Sequence, residues 1–302
     1  MGVDMHATEI KQEIRTVETR INYLAPGSYI NRRFVAPGEE VNTGKYEAHT
    51  VLVRDGSAIK DQFSLNNHGF VLAKHKSNVS DFFNKAEVDA VYPNEVVELV
   101  KQLTGADCVA PLGWMARTSG DLSQFQHQTV GYTHQGGVQP PAGEAHVDMT
   151  PGRAGSMAEA VYKKFFPGGK PYRRFIASSL WRAFSPPPHD WPLAVCECHS
   201  VGREEGTPNT MFIVDKLPSR EEMLAAIPDE DKAMAADIFH YNPQHRWWYF
   251  PDLDRDQVLM FKFYDSDQSR AWRVPHTAFL DTSFTDSHVR ESIEYRTVAY
   301  FL

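Results

Sequence analysis

The sequence predicts a mainly β protein whose helices lie near its N-terminal side and in the connections between strands. Short runs rich in β-branched and aromatic residues recur along the chain and are bounded by Gly, Pro and Asp turn signals. We find no internal repeat and no linker between domains. The 302 residues, 42% of them hydrophobic, suffice for one large core. We therefore expect a single β-rich domain over residues 1–302.

The individual elements follow from these patterns. Strands are predicted at residues 49–54, 69–72, 108–111, 175–182, 191–198, 211–214, 245–250, 258–265 and 292–301. Helices are predicted at residues 94–104, which Gly105 follows as a stop signal, at residues 153–166, and from the capping box Ser219–Glu222 to about residue 240. Residues 10–24 form an N-terminal extension with mixed signals that fits either an amphipathic helix or a first strand.

A polar segment at residues 117–144 interrupts this pattern. It is rich in Gly and Gln and poor in apolar residues, and we expect a lid or binding loop there. A solvated loop without a binding role is the alternative. The candidate substrate-binding residues in this segment are Gln126, His127, Gln128, Tyr132, His134 and Gln135.

Composition and charge exclude several classes of function. The net charge is −8, from 31 basic and 39 acidic residues, which argues against a nucleic-acid partner. No run of 18 apolar residues or N-terminal apolar region occurs, so we expect neither a membrane segment nor a secretory signal. The three cysteines form no CxxC pair, which favours a reducing, cytoplasmic location. We expect a small-molecule substrate, and a homodimer is left open.

A candidate metal site begins in the segment Glu144-Ala-His146-Val-Asp148. Residues i and i+2 of a strand project to the same face, so His146 and Asp148 would lie side by side. An imidazole and a carboxylate are two of the three ligands of the facial triad that binds Fe(II) and leaves coordination positions open for a cosubstrate and O2. The HxD pattern alone is weak, because a chain with 13 histidines can contain it by chance.

The C-terminal region supplies the remaining parts of such a site. Facial-triad oxygenases that use 2-oxoglutarate have a second histidine late in the chain and an arginine ten to fifteen residues beyond it. Here His276 precedes Arg290 by 14 residues, and Ser292 shares the face of Arg290. A guanidinium can clamp the distal carboxylate of 2-oxoglutarate, and the serine hydroxyl can donate to it.

Six segments carry a pattern shared with a known family: 180–184 (LWRAF), 190–196 (DWPLAVC), 242–247 (NPQHRW), 261–266 (FKFYDS), 275–279 (PHTAF) and 290–296 (RESIEYR). They resemble the fungal hydroxylase/desaturase family typified by CmcJ and NvfI. The resemblance covers roughly residues 68–301, and it implies a double-stranded β-helix (jelly-roll, cupin-like) fold, non-haem Fe(II), 2-oxoglutarate and O2. It also implies that His146, Asp148 and His276 are the iron ligands.

The family implies oxidation of an unactivated C–H bond in a natural-product or amino-acid-derived molecule, within fungal secondary metabolism. The outcomes in the family are hydroxylation, desaturation and oxidative ring closure such as endoperoxide or aziridine formation. The segment Leu112–Arg117 departs from many relatives, which have a histidine there, so the resemblance does not identify the substrate. A same-fold iron enzyme that does not consume 2-oxoglutarate and a non-catalytic metal-binding jelly roll are the alternatives.

Some residue assignments remain open at this level. His199 lies 51 residues after Asp148 and competes with His276 for the third ligand position. Arg296 lies on the same face as Arg290, and Arg182 lies on a neighbouring strand, so each competes with Arg290 for the cosubstrate. Arg290 is favoured because Ser292 accompanies it.

Overall fold

Two β-sheets form the body of the structure, a computed structural model that describes residues 14–37, 39–125 and 138–302. The strands are β1 (Thr16–Leu24), β2 (Arg32–Ala36), β3 (Glu39–Asn42), β4 (Tyr46–Asp55), β5 (Phe70–Lys74), β6 (Cys108–Thr118), β7 (Val138–Gln139), β8 (His146–Val147), β9 (Arg174–Ala183), β10 (Leu193–Cys196), β11 (Thr207–Ile213), β12 (Ala235–Ile238), β13 (Trp247–Tyr249), β14 (Gln257–Asp265), β15 (His276–Ala278) and β16 (Glu291–Phe301). The α-helices are α1 (Lys85–Thr104), α2 (Pro151–Phe165) and α3 (Arg220–Leu224).

The strand order places distant parts of the chain next to one another. The larger sheet runs β1-β4-β13-β10-β15-β8-β12-β11-β2-β3, and the smaller runs β5-β14-β9-β16-β6-β7. In the larger sheet β8 lies between β12 and β15, and both pairings are antiparallel. In the smaller sheet the long strand β16 pairs with β6 on one side and with β9 on the other.

The core has two parts, which lie on opposite faces of the smaller sheet. Between the sheets, Val195 and Trp247 pack in one cluster with Phe261 and Val298. On the other face, helix α1 packs its buried side chains against the smaller sheet. Along β16 the side chains alternate, so residues 293, 295 and 299 face α1 while residues 298 and 300 face the other sheet. By this alternation residues 292, 294 and 296 also face the space between the sheets.

The mainly β prediction is confirmed. The helix predicted at residues 94–104 exists and extends back to Lys85, where the side chain of Asn84 caps it by accepting a hydrogen bond from the backbone N–H of Glu87. The helix predicted at residues 153–166 is α2, and residues 16–24 form a strand, so the strand alternative for the N-terminal segment is correct from Thr16 onward. No α-helix of the described residues is long and apolar enough to cross a membrane.

The helix predicted from Ser219 to about residue 240 is wrong. The capping box at Ser219 and Glu222 is present, but the helix ends at Leu224. Pro228 disfavours helical geometry at the residue before it. Residues 235–238 form β12 instead and pair with β8, which contains His146. A tertiary pairing therefore overrides the helical pattern.

Candidate metal centre and its cavities

Two adjacent strands bring the candidate metal ligands together. His146 on β8 and His276 on β15 are direct partners across the antiparallel pair, and their ring centroids are 4.3 Å apart. Asp148 follows β8 in the short connection to α2. One ligand atom from each of these three residues lies within 4.8 Å of the other two. Within the described ranges, no other group of three His, Cys, Asp or Glu residues meets this criterion.

Backbone carbonyls orient both imidazoles. The Nδ1–H of His146 donates to the carbonyl oxygen of Glu144 at 2.8 Å, and the Nδ1–H of His276 donates to that of Val274 at 3.2 Å. In the neutral form of each ring this places the lone pair on Nε2. Metal-binding histidines are held in this way by a hydrogen bond from the other ring nitrogen. Both rings are therefore prepared to bind a cation through Nε2.

Asp148 is held between a histidine and an arginine. Its Oδ1 lies 3.4 Å from Nε2 of His146, and its Oδ2 lies 3.0 Å from a terminal nitrogen of Arg296. Burial alone would raise the pKa of Asp148, but the positive charge of Arg296 and the hydrogen bond with His146 outweigh it and hold the pKa well below its usual range. The carboxylate is therefore ionised at any pH near neutrality.

The two histidines have opposite pKa shifts. Burial and the neighbouring His146 lower the pKa of His276 to about 3, so this imidazole is neutral. Burial also disfavours the charged form of His146, but its hydrogen bond to Asp148 and the carboxylate charge raise its pKa above the ordinary value. The donor set is two imidazoles and one carboxylate, which is the facial-triad set for Fe(II) with open positions.

Arg290 and Ser292 lie deep in the interior with unused hydrogen-bonding groups. Arg290 is 1% exposed, and its Nε and one terminal nitrogen are buried without a partner among the described residues; the same holds for the hydroxyl of Ser292. Burial, together with the charge of Arg117, lowers the pKa of Arg290 to about 9. Buried donors of this kind are costly unless a ligand satisfies them.

One narrow cavity is lined both by Arg290 and by the two candidate metal-binding histidines. The guanidinium carbon of Arg290 lies 5.8 Å from the ring centroid of Trp181, which is also in the wall of this cavity. Its lining residues are Arg117, Ala142, His146, Trp181, Leu193, Phe261, His276, Thr277, Ala278, Arg290 and Glu294. A carboxylate bound to Arg290 would therefore belong to a molecule that also borders the metal site.

The other two candidate arginines have different roles. Arg296 faces the same interior as Arg290, as the even spacing predicts, but it pairs with the candidate ligand Asp148. Arg182 projects from the opposite face of β9 and is therefore excluded from the cavity, which corrects its assignment as a cosubstrate ligand. There it donates to Tyr92 at 3.2 Å and to the carbonyl of His75 at 2.9 Å, and it also bonds the carbonyl of Arg255. The strand alternation that brings Trp181 to the cavity turns Arg182 toward α1.

Two charged residues near the metal site were not predicted as site residues. Glu294 is 9% exposed, and its carboxylate lies 3.0 Å from Arg296 and 3.5 Å from Arg117. Burial would raise the pKa of Glu294, but these two arginines lower it overall. Glu294 could have been predicted from the sequence, because it continues the even spacing of Arg290, Ser292 and Arg296 on one strand face. Arg117 could not, because only the pairing of β6 with β16 brings it close to the candidate metal site.

A second, larger cavity of about 360 Å³ also borders the triad. His146, Asp148, Arg117 and Arg296 are among its lining residues, so it meets the narrow cavity at the candidate metal site. Much of the remaining wall is apolar and includes Met149, Met157, Met211, Met234 and Ile238. Its volume lies in the range of small-molecule binding sites.

The competing histidines lie away from this centre. His199 is exposed in a short turn and is not in the ligand cluster, so the structure favours His276 over it. His240 donates through Nδ1 to the carbonyl of Leu24 at 2.8 Å, and Nε2 of His245 lies 2.7 Å from Glu205. The predicted lid residues at 126–135 lie outside the described residues.

Comparisons with known proteins identify the family of this chain and several similar enzymes. The family described as "Oxidoreductase/YMDC permease-like domain" matches residues 21–300. The chain belongs to this family. Curated relatives include "Hydroxylase/desaturase efuI" of Hormonema carpetanum, 27% identical over 95% of each chain. Another is "Alpha-ketoglutarate-dependent dioxygenase phiK" of a fungal species (strain ATCC 74256), 28% identical over 98% of this chain and 99% of the relative.

The fold is also that of a solved structure. The iron and α-ketoglutarate-dependent endoperoxidase NvfI superposes with a TM-score of 0.75 over 96% of this chain and 99% of its own, at 23% identity. The predicted jelly-roll fold and the predicted resemblance to the fungal hydroxylase/desaturase family are confirmed. The relatives' names match the predicted enzyme class and its predicted Fe(II), 2-oxoglutarate and O2.

Proposed function

We propose that this protein is a non-haem Fe(II)/2-oxoglutarate-dependent dioxygenase that oxidises an unactivated C–H bond of a small natural-product or amino-acid-derived molecule. The observation that carries the proposal is the shared cavity. His146 and His276, which cluster with Asp148, line the same cavity as the unsatisfied guanidinium of Arg290. An occupant with a carboxylate at one end and a metal-chelating group at the other would use both features.

The residues present fit both groups. His146, Asp148 and His276 would hold the ferrous ion, since two Nε2 lone pairs and an ionised carboxylate are an Fe(II) donor set. Arg290 and Ser292 would hold the distal carboxylate of 2-oxoglutarate, since the buried Arg290 donors and the Ser292 hydroxyl have no partner among the described residues. When bound, Fe(II) with 2-oxoglutarate and O2 supplies an oxidant strong enough to attack an unactivated C–H bond, with succinate and CO2 as coproducts.

The chain's own contribution is binding, orientation and exclusion of water. Arg296 holds Oδ2 of Asp148, which leaves Oδ1 on the side of His146. The rings of Phe261 and Phe263 pack against the ring of His276, with centroid separations of 4.6 and 5.9 Å, and restrict its orientation. Such packing fixes the geometry of the ligands before any substrate arrives.

The larger cavity is the proposed substrate site. It borders the triad at His146 and Asp148, so a bond of a molecule bound there can lie next to the metal position. Whether hydroxylation, desaturation or ring closure follows depends on how this cavity holds the reacting carbon relative to the metal. The names of the relatives, which include hydroxylase/desaturase and endoperoxidase, support this range of outcomes and a place in fungal secondary metabolism.

Oxygen-dependent turnover of 2-oxoglutarate tests the proposal. Purified protein is loaded anaerobically with Fe(II) and 2-oxoglutarate, with and without candidate substrates, and succinate is measured before and after air is admitted. We expect succinate only after air, and more of it with a true substrate. A protein that binds iron but forms no oxygen-dependent succinate under any of these conditions would refute the proposal.

A further inference from the structure

One arginine of the larger cavity makes no ion pair with any described residue. Arg153 lies in the first turn of α2, where it borders both this cavity and a more open one of about 870 Å³ whose wall carries several acidic residues. Within the described part of the chain its guanidinium has no hydrogen bond, ion pair or aromatic partner, and the hydrogen bonds of Arg153 are made by its backbone. The residue is half-buried, so it is partly shielded from water.

The other three arginines of the cavity are each paired with a carboxylate. Arg33 lies 2.7 Å from Glu40, Arg117 lies 3.5 Å from Glu294, and Arg296 lies 3.0 Å from Asp148. Their positive charges are therefore matched within the protein. Glu144, which is also in this lining, lies 3.8 Å from Arg33, so Arg153 is the arginine of the lining that makes no ion pair with a described carboxylate.

The position of Arg153 on α2 also favours an anion. The first turn of a helix carries the positive end of the helix dipole, and a cation there is unfavourable unless an anion accompanies it. The first turn of α2 contains no acidic residue, and the side chain of the N-cap residue Thr150 makes no capping hydrogen bond. Arg153 therefore does not serve to stabilise its own helix.

A second residue of this lining has an unsatisfied polar atom. Asn209 is 5% exposed and lines the same cavity, and its Oδ1 is buried without a hydrogen-bond partner among the described residues. Its Nδ2 donates to the hydroxyl of Tyr46 at 3.3 Å. A buried amide oxygen of this kind is satisfied when water or a polar group of a bound molecule donates to it.

The rest of the cavity suits an apolar body. On α2, Met157 and Ala160 follow Arg153 and Ser156 at helical spacing, so this face of the helix changes from polar to apolar along its length. Methionines 149, 211 and 234 add flexible apolar contacts that adapt to irregular shapes.

We infer that the substrate of this enzyme is an amphipathic carboxylic acid whose carboxylate binds Arg153 while its apolar body occupies the methionine-lined part of the larger cavity. The inference rests on the proposed function, which it deepens by naming the substrate class. Arg153 is then the residue that selects acids over neutral molecules of the same shape.

A pair of fluorescent probes tests this selection. Anthracene-9-carboxylate and anthracene-9-methanol share an apolar body and differ in the charged group. Their binding to the full chain is measured by fluorescence titration at pH 7.5, in low and high salt. We expect the wild type to bind the carboxylate about tenfold more tightly than the alcohol, with a preference that falls at high salt.

Four variants locate the effect. Arg153→Gln should bind the carboxylate about tenfold more weakly and leave the affinity for the alcohol unchanged, and Arg153→Lys should keep part of the preference. Lys164→Gln removes the same charge from an exposed position further along α2 and should bind like the wild type. Ala160→Trp fills the cavity from an exposed helix position and should weaken both probes. Circular dichroism confirms that each variant is folded.

Three results would overturn the inference. The first is equal affinity of the wild type for both probes, and the second is an equal loss of carboxylate binding in Arg153→Gln and Lys164→Gln. The third is the absence of saturable binding of either probe. Succinate formation by the wild type, measured without substrate on the same preparation, decides the proposed function separately, because it requires neither probe to bind.

Discussion

Replacing Arg290 by methionine should separate stability from cosubstrate binding. Arg290 is almost completely buried, and two of its nitrogens have no partner among the described residues. At pH 8 the guanidinium is charged, since this lies below both its lowered pKa of about 9 and its ordinary value. The cost of burying it is therefore present in full in the ligand-free protein.

The magnitudes follow from these contacts. Each buried donor without a partner costs about 1–3 kcal/mol, so Arg290→Met should raise the free energy of unfolding of the ligand-free protein by about 2 kcal/mol. For a chain of this size, that corresponds to a rise in Tm of about 4 °C. The same change removes two charge-assisted hydrogen bonds to 2-oxoglutarate, together about 3 kcal/mol, and should weaken its binding by more than about 100-fold.

The assay combines thermal unfolding with anaerobic titration of the metal-to-ligand charge-transfer band by 2-oxoglutarate in the Fe(II) protein. Arg182→Met is the matched control, because Arg182 is equally buried on the same sheet but fully hydrogen-bonded. Arg182→Met should lower the Tm strongly and leave the affinity of the folded protein for 2-oxoglutarate unchanged. Arg182→Lys, which keeps the positive charge, should lower the Tm less. If Arg290→Met destabilises the ligand-free protein as Arg182→Met does, or keeps normal 2-oxoglutarate affinity, the assignment of Arg290 is refuted.

Three further predictions concern the metal site and a buried acid. His276→Ala should abolish stoichiometric iron binding, measured by metal analysis, while the far-ultraviolet circular dichroism spectrum is retained; full iron content in this variant would contradict the ligand assignment. Arg296→Met should lower the affinity for Fe(II) about 10- to 100-fold, because it releases Oδ2 of Asp148, and Arg296→Lys should recover part of that affinity. Equal Fe(II) affinity of the wild type and both variants would contradict this role of Arg296. Burial outweighs the charge of Arg273 and raises the pKa of Asp237 from 3.8 to about 6. Between about pH 4 and 6 the folded state therefore binds more protons than the unfolded state. The free energy of unfolding of the wild type, measured with urea relative to that of Asp237→Asn, should fall by about 3 kcal/mol as pH rises through this window. A difference between the two proteins that does not change with pH would contradict this.

The sequence by itself was sufficient for the β-rich class and for the candidate ligands, because both depend on local pattern. Strand geometry predicted that His146 and Asp148 lie side by side and that Arg290 and Ser292 share a face, although β8 ends at Val147 and β16 begins at Glu291, one residue short of Asp148 and Arg290. The third ligand could be proposed from its distance to Arg290 along the chain, although His199 remained a competitor until the fold was known.

Tertiary structure alone decided which groups meet. The pairing of β8 with β15 joins His146 to His276, a contact across 130 residues that no local pattern contains. Strand register likewise decided the roles of the arginines: Arg182 faces α1, while Arg296 reaches Asp148. The failed helix near residue 235 has the same origin, since the strand that borders β8 gains hydrogen bonds and burial that outweigh local helical preference.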